Sequence, residues 1–123
     1  MRLGLLLIAL AVAGCGTTEA PVAVGEQTAA DTASTAYAAC VDKAVTALDL
    51  TADQPAALTD LAMKACSAAR AEVVAKVTAA QVATGKDAAT AAAVARQSVR
   101  VADSELRDRA NTAIVRATLK TGG

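Results

Sequence analysis

The sequence contains no histidine, tryptophan or phenylalanine, and its single aromatic residue is Tyr37. Without histidine, a serine or cysteine nucleophile lacks its usual general base, and zinc lacks its usual nitrogen ligand. One aromatic ring is too few for stacking on bases or sugars. The glycines are scattered, so no phosphate-binding loop is recognised. These absences argue against an enzyme and predict neither a metal site nor a cofactor.

Acidic and basic residues number 12 each, so the formal net charge is zero. This balance argues against a nucleic-acid partner, which would be bound through neutralised phosphates. The distribution is uneven, because residues 15–70 carry three basic and seven acidic side chains and residues 71–123 carry eight and five. We expect these charges to form an ordinary solvated helix surface. The alternatives are that the two oppositely charged halves pack on each other, or that the C-terminal half has a mildly basic face.

Alanine occupies 35 of the 123 positions. It has the highest helix propensity of all residues, which predicts the all-α class. Its small side chain buries little area, so helices must approach closely and the core gains little from each contact. A domain built in this way is expected to need an additional covalent link for stability.

The N-terminal segment has the organisation of a secretory signal peptide. Arg2 supplies the positive charge, residues 3–12 the apolar run, and Ala13 and Gly14 the small residues that precede cleavage. The apolar run is too short for a stable transmembrane helix, which needs about 20 residues. We therefore expect residues 1–14 to be removed.

Residues Val12-Ala13-Gly14-Cys15 resemble a bacterial lipobox. The resemblance implies that Cys15 receives a diacylglyceryl group and becomes the first residue of the mature protein. It also implies a lipid-anchored protein of the cell envelope that contacts the membrane through Cys15. Gly16 stands where an aspartate would resemble an inner-membrane retention signal, which favours the periplasmic face of the outer membrane in a Gram-negative cell. The alternative is a plain signal peptide cut elsewhere.

Lipidation of Cys15 would leave Cys40 and Cys66, which an oxidising periplasm is expected to join. In an antiparallel helical hairpin both residues lie on apolar faces at similar distances from the turn, so a disulfide is geometrically reasonable. Closing a loop of about 26 residues would stabilise the fold by about 3 kcal/mol. The alternative is a pair of buried free thiols.

With the lipidated cysteine that the lipobox resemblance implies at its start, residues 15–30 are expected to form a flexible linker, and residues 31–123 a helical domain. Apolar spacing and capping residues predict helices from 31–34 to about 48, from about 54 to 84, and from 88 to 119. Asp87 can cap the third helix, and Gly85 can adopt the left-handed conformation that ends the second. The expected architecture is a small alanine-rich three-helix bundle, or a helical hairpin plus one long helix.

Each predicted helix has an apolar stripe. The first stripe contains Tyr37, Cys40, Val41, Ala44, Val45 and Leu48. The third is narrow and close to a heptad spacing, and it contains Val99, Ala102, Leu106, Ala110, Ala113 and Ala117. On the third helix, Asp103 with Arg107 and Glu105 with Arg109 have the i,i+4 spacing of helix-stabilising ion pairs. The acid pairs Asp49 with Asp53 and Glu105 with Asp108 are interpreted as turn and solvent-exposed residues rather than as catalytic groups.

The sequence therefore predicts a non-enzymatic, lipid-anchored envelope protein with a structural or protein-binding role. Its partner would be an unidentified envelope protein. The alternative is self-association through the third helix, since the composition resembles that of short alanine-rich envelope lipoproteins that form coiled coils.

Overall fold

The computed structural model describes residues 21–123, which form four α-helices and no strand. The helices are α1 (Pro21–Thr46), α2 (Pro55–Ala65), α3 (Ser67–Ala83) and α4 (Ala88–Thr121). The all-α class predicted from the sequence is thus confirmed. The predicted signal peptide and Cys15 lie outside the described residues.

Helix α1 begins at Pro21, about ten residues earlier than predicted. Residues 21–30 of the predicted flexible linker are therefore helical, and that part of the prediction was wrong. Proline is tolerated in a first helical turn, and Gly25 costs only about 1 kcal/mol in a helix. Burial of Ala30 and Ala33 offsets this cost. Because the buried side chains are alanines, they produce little contrast in a hydropathy pattern.

The helix predicted from about 54 to 84 is divided into α2 and α3 at Cys66, so the described residues contain four helices rather than three. Cys66 has φ −103° and ψ 19°, outside the helical range. Its N–H donates to the carbonyl oxygen of Met63 at 3.2 Å, three residues back instead of four. Neither glycine nor proline marks this junction, which explains why sequence reasoning missed it.

Helix α3 packs against both α1 and α4, and α2 packs mainly against α4. The core contains residues from all of these elements: Ala33, Tyr37, Val41, Met63, Cys66, Val73, Val99, Leu106 and Ala110. Most of these side chains are small or medium-sized, as the composition predicts. The helices consequently depend on close approach rather than on large side chains.

Helix α4 is continuous over 34 residues. Asp87 caps its start as predicted, accepting a hydrogen bond from the Thr90 N–H at 3.0 Å, and Gly85 has the predicted positive φ, of 92°. The buried positions are Ala91, Ala95, Val99, Leu106, Ala110 and Ile114. Ala113 is exposed, so the predicted near-heptad stripe is wrong at this end. A straight helix has 3.6 residues per turn, and its buried face therefore moves away from a 3.5-residue spacing.

Candidate functional site

A disulfide links α1 to the junction between α2 and α3. It joins Cys40 to Cys66, whose Cα atoms are 5.9 Å apart. This is the pair that the sequence predicts. Cys66 is buried and Cys40 is half-buried, so the bond lies against the core. It fixes the position of α1 relative to both neighbouring helices.

A polar cluster lies next to this bond and connects α1, α3 and α4. The hydroxyl of Tyr37 donates to Oδ1 of Asp103 at 2.8 Å. Arg70 donates to Oδ2 of the same carboxylate through Nε at 2.8 Å and through Nη2 at 2.7 Å. One carboxylate thus receives hydrogen bonds from two other helices. We call Tyr37, Arg70 and Asp103 the tyrosine cluster.

The environment of the tyrosine cluster stabilises one protonation state of each donor. Burial, followed by the hydrogen bond to Asp103 and the negative charge of Asp103, raises the pKa of Tyr37 from 10.0 to about 12. The hydrogen bond to Asp103 also raises the pKa of Arg70. At neutral pH the phenol is therefore neutral and the guanidinium is charged. Neither donor is suited to exchange a proton, so the cluster is suited to positioning helices.

Two more ion pairs connect α4 to the other helices. Arg107 pairs with Asp60 on α2, and Arg109 pairs with Asp42 on α1 at 2.9 Å. The predicted pairs within α4 were wrong, because Asp103, Arg107 and Arg109 all reach partners on neighbouring helices. In these two pairs the acid comes from the acidic half of the sequence and the arginine from the basic half. They support the alternative in which the two halves pack on each other.

The tyrosine cluster was not predicted, although the sequence contains one signal for it. A buried tyrosine usually has a hydrogen-bond partner for its hydroxyl. The apolar spacing places Tyr37 on the core face of α1, and Asp103 directly follows Ala102 of the α4 stripe. To identify Asp103 as the partner of Tyr37, one must know how α1 and α4 lie relative to each other. The sequence pattern does not specify this arrangement.

The acid pairs Asp49 with Asp53 and Glu105 with Asp108 lie where the sequence predicts them, in a turn and on a solvent-exposed helix face. Asp49 accepts hydrogen bonds from the N–H and hydroxyl of Thr51 at 2.9 and 2.7 Å, which lowers the pKa of Asp49. Asp53 accepts from the Gln54 N–H at 2.8 Å. Glu105 and Asp108 are exposed. None of these four carboxylates lies in the tyrosine cluster.

A surface recess of about 360 Å³ lies beside the tyrosine cluster. Its polar lining includes Asp60, Lys64, Ser67, Arg70 and Arg107. Asp60 and Arg107 pair with each other, and Arg70 pairs with Asp103. Within the part of the chain that the structure describes, no three histidine, cysteine or carboxylate side chains are grouped as metal ligands. The charged groups of the recess thus serve mainly to join helices.

Comparison with models of known protein families, with curated proteins and with solved structures finds no match to this chain. Among residues 21–123, no helix combines the length and the apolar character needed to cross a membrane.

Proposed function

We propose that this protein is a non-enzymatic lipoprotein of the cell envelope, anchored through Cys15, with a structural or protein-binding role. The observation that carries the proposal is the cysteine arrangement. With Cys40 and Cys66 joined, Cys15 is the remaining cysteine of the sequence, and it ends the lipobox-like run. A disulfide in the helical domain also suits an oxidising compartment. We propose that cleavage follows residue 14 and that the outer membrane is the destination in a Gram-negative cell.

The start of α1 refines the geometry of this proposed anchor. Only residues 16–20 separate Cys15 from Pro21, the first residue of α1. Five residues span at most about 18 Å even when fully extended. The start of α1 would therefore lie close to the membrane surface, within a shorter maximum distance than a flexible linker over residues 15–30 would give. Each acyl methylene buried in the bilayer contributes about 0.8 kcal/mol, so two or three chains retain a small protein there.

Burial within the fold favours a partner-binding or structural role over the proposed self-association. The coiled-coil alternative needs the α4 stripe at the surface. Val99, Leu106 and Ala110 of that stripe lie in the core of the same chain. A second copy would therefore have to use a different face of α4, and no heptad pattern is sustained there.

Intact mass of the protein extracted from membranes tests the anchor. We expect a chain that lacks residues 1–14 and carries an added lipid mass. Reductant should increase the mass by two hydrogens as the Cys40–Cys66 bond opens. The Cys15→Ala variant is the matched control and should lose the lipid mass and the membrane association. A membrane-extracted protein with an unmodified Cys15 would contradict the proposal.

Two measurements test the role. Sedimentation of the domain starting at Thr17 should give a monomer across micromolar concentrations, whereas an oligomer would support the coiled-coil alternative. Cross-linking in intact cells should then capture a different envelope protein. Capture of other copies of the chain alone would argue against a role in binding a separate partner.

A further inference from the structure

The interruption between α2 and α3 has no cause in the local sequence. The residues around it are Lys64-Ala65-Cys66-Ser67-Ala68, which include neither glycine nor proline. Lysine and alanine are good helix formers, and cysteine and serine are tolerated in a helix at modest cost. Local propensity therefore favours a continuous helix through Cys66.

The spacing of apolar side chains along α2 and α3 does not require the interruption either. Positions that are buried or packed against the core recur at three- and four-residue steps on both sides of the junction. They are Leu58, Ala62, Cys66, Ala69, Val73, Val77 and Ala80. A straight helix over the same residues would keep them in one apolar stripe. The apolar positions of α2 therefore continue into α3 at helical spacing despite the interruption.

The residue that leaves the helical conformation is the one that is bonded to α1. Cys66 has non-helical dihedral angles, and its N–H donates to Met63 rather than to Ala62. Normal helical bonding resumes where the Arg70 N–H donates to the Cys66 carbonyl oxygen at 3.0 Å. The residue with non-helical dihedral angles is thus the residue that the disulfide joins to α1.

We propose that the Cys40–Cys66 disulfide maintains this interruption, and that its reduction by a dithiol lets α2 and α3 join into one continuous helix. Reduction transfers two electrons and two protons to the bridge, giving two thiols, while the dithiol becomes a disulfide. The inference goes beyond the proposed function and does not depend on the lipid anchor.

The expected consequence is a change in how α2 lies on α4. At present α2 contacts α4 through the Asp60–Arg107 ion pair, and α3 contacts it through Arg70 and Asp103. Two straight helices cross at an angle and diverge beyond the crossing. The interruption at Cys66 therefore allows both α2 and α3 to follow α4. On straightening, α2 should separate from α4 and expose Leu58, so the redox state would control this surface.

The direct test compares the oxidised protein with the Cys40→Ala variant by NMR and amide exchange. This variant removes the covalent link and retains Cys66. We expect helical Cα chemical shifts at Cys66 and Ser67 and about tenfold slower exchange of the amides at the junction. Val41→Ala is the matched control, since it removes core volume beside Cys40 and keeps the disulfide; its junction should stay interrupted. Non-helical shifts at Cys66 in Cys40→Ala would overturn the proposal.

A second test remains informative if the reduced protein is unstable. Glycine is unfavourable inside a helix and less so in a first turn, so Ser67→Gly should penalise the continuous helix more than the interrupted one. In a dithiol buffer this variant should favour the disulfide form, by about twofold. Ala75→Gly lies inside α3 in both forms and should cause no shift. If the reduced chain unfolds instead, Ala75→Gly will favour the reduced form, and the proposal fails.

Discussion

From Ala88 to Ala102, α4 presents small side chains to the core, whereas from Asp103 onward it presents larger apolar and charged side chains to three other helices. The first part buries Ala91, Ala95 and Val99. The second part buries Leu106, Ala110 and Ile114, and carries the α4 members of all three ion pairs between helices within the described residues.

These two parts of one helix show two ways of holding a small core together. Alanine permits close approach but gains little from each contact, because it has one methyl group to bury. The second part adds larger apolar side chains, hydrogen bonds and charge. We therefore expect the free energy of unfolding to be far more sensitive to substitutions after Ala102 than to substitutions before it.

The largest difference should come from truncating the apolar core of each part. Ile114→Ala removes a fully buried side chain and leaves a cavity, so it should lower the free energy of unfolding by about 2–5 kcal/mol. Ala95→Gly in the first part should lower it by about 1 kcal/mol. Urea unfolding measures both. The exposed neighbour Val115→Ala is the control, expected within about 0.5 kcal/mol of the wild type. Equal losses of unfolding free energy for Ile114→Ala and Ala95→Gly would contradict the difference expected between the two parts of α4.

The next effect should come from the tyrosine cluster. Asp103→Ala leaves the buried Tyr37 hydroxyl without its acceptor, which should lower the free energy of unfolding by about 1–3 kcal/mol. The exposed Asp108→Ala on the same helix is the matched control and should change it by less than about 0.5 kcal/mol. Similar urea midpoints for the two variants would mean that the cluster adds no stability.

Alkaline pH should weaken the same cluster without a substitution. The fold raises the pKa of Tyr37 from 10.0 to about 12, so the folded protein retains the phenol proton to higher pH than the unfolded chain does. This stabilisation is fully present below pH 10 and is lost as pH rises toward 12. Phenolate absorbance reports the titration, because Tyr37 is the sole tyrosine.

The Asp103→Ala variant sharpens this pH measurement. Its phenolate midpoint should fall part of the way toward 10.0, since burial is the largest cause of the raised pKa and remains in place. A midpoint near 10.0 in the folded wild-type protein would show that Tyr37 is not held in the environment described above.

The smallest effect should come from the exposed ion pair between Arg107 and Asp60. Both side chains are more than half exposed, so Arg107→Ala should lower the free energy of unfolding by only about 0.2–1 kcal/mol. The difference should shrink in about 1 M salt. Arg116→Ala is the control, because Arg116 forms no ion pair within the described part of the chain. If Arg107→Ala instead causes a large loss of unfolding free energy that does not depend on salt, the aliphatic part of Arg107 stabilises the fold by packing rather than by its charge.

Features governed by local chemistry were predicted well from the sequence. Alanine content predicts the helical class, Asp87 caps α4, and Gly85 adopts the positive φ that follows α3. The structure also contains the predicted Cys40–Cys66 pairing. Each of these depends on residue type or on helical spacing along the chain.

Features governed by contacts between helices were missed. The early start of α1 depends on burial of Ala30, and the interruption at Cys66 coincides with a bond to another helix. Arg107 and Arg109 of α4 have acidic neighbours at i,i+4 spacing, yet they pair with acids on other helices. The sequence pattern identifies these side chains but does not specify which helices lie within reach.

The disulfide also changes the connectivity of the molecule. Cys40 and Cys66 enclose the end of α1, the connection over residues 47–54 and all of α2 in a covalent ring. The connecting segment is largely exposed and contains no regular helix, as is typical of sites of proteolytic nicking. A protease that cuts there once would open the ring without releasing a fragment. The two resulting chains would separate only after a reductant is added.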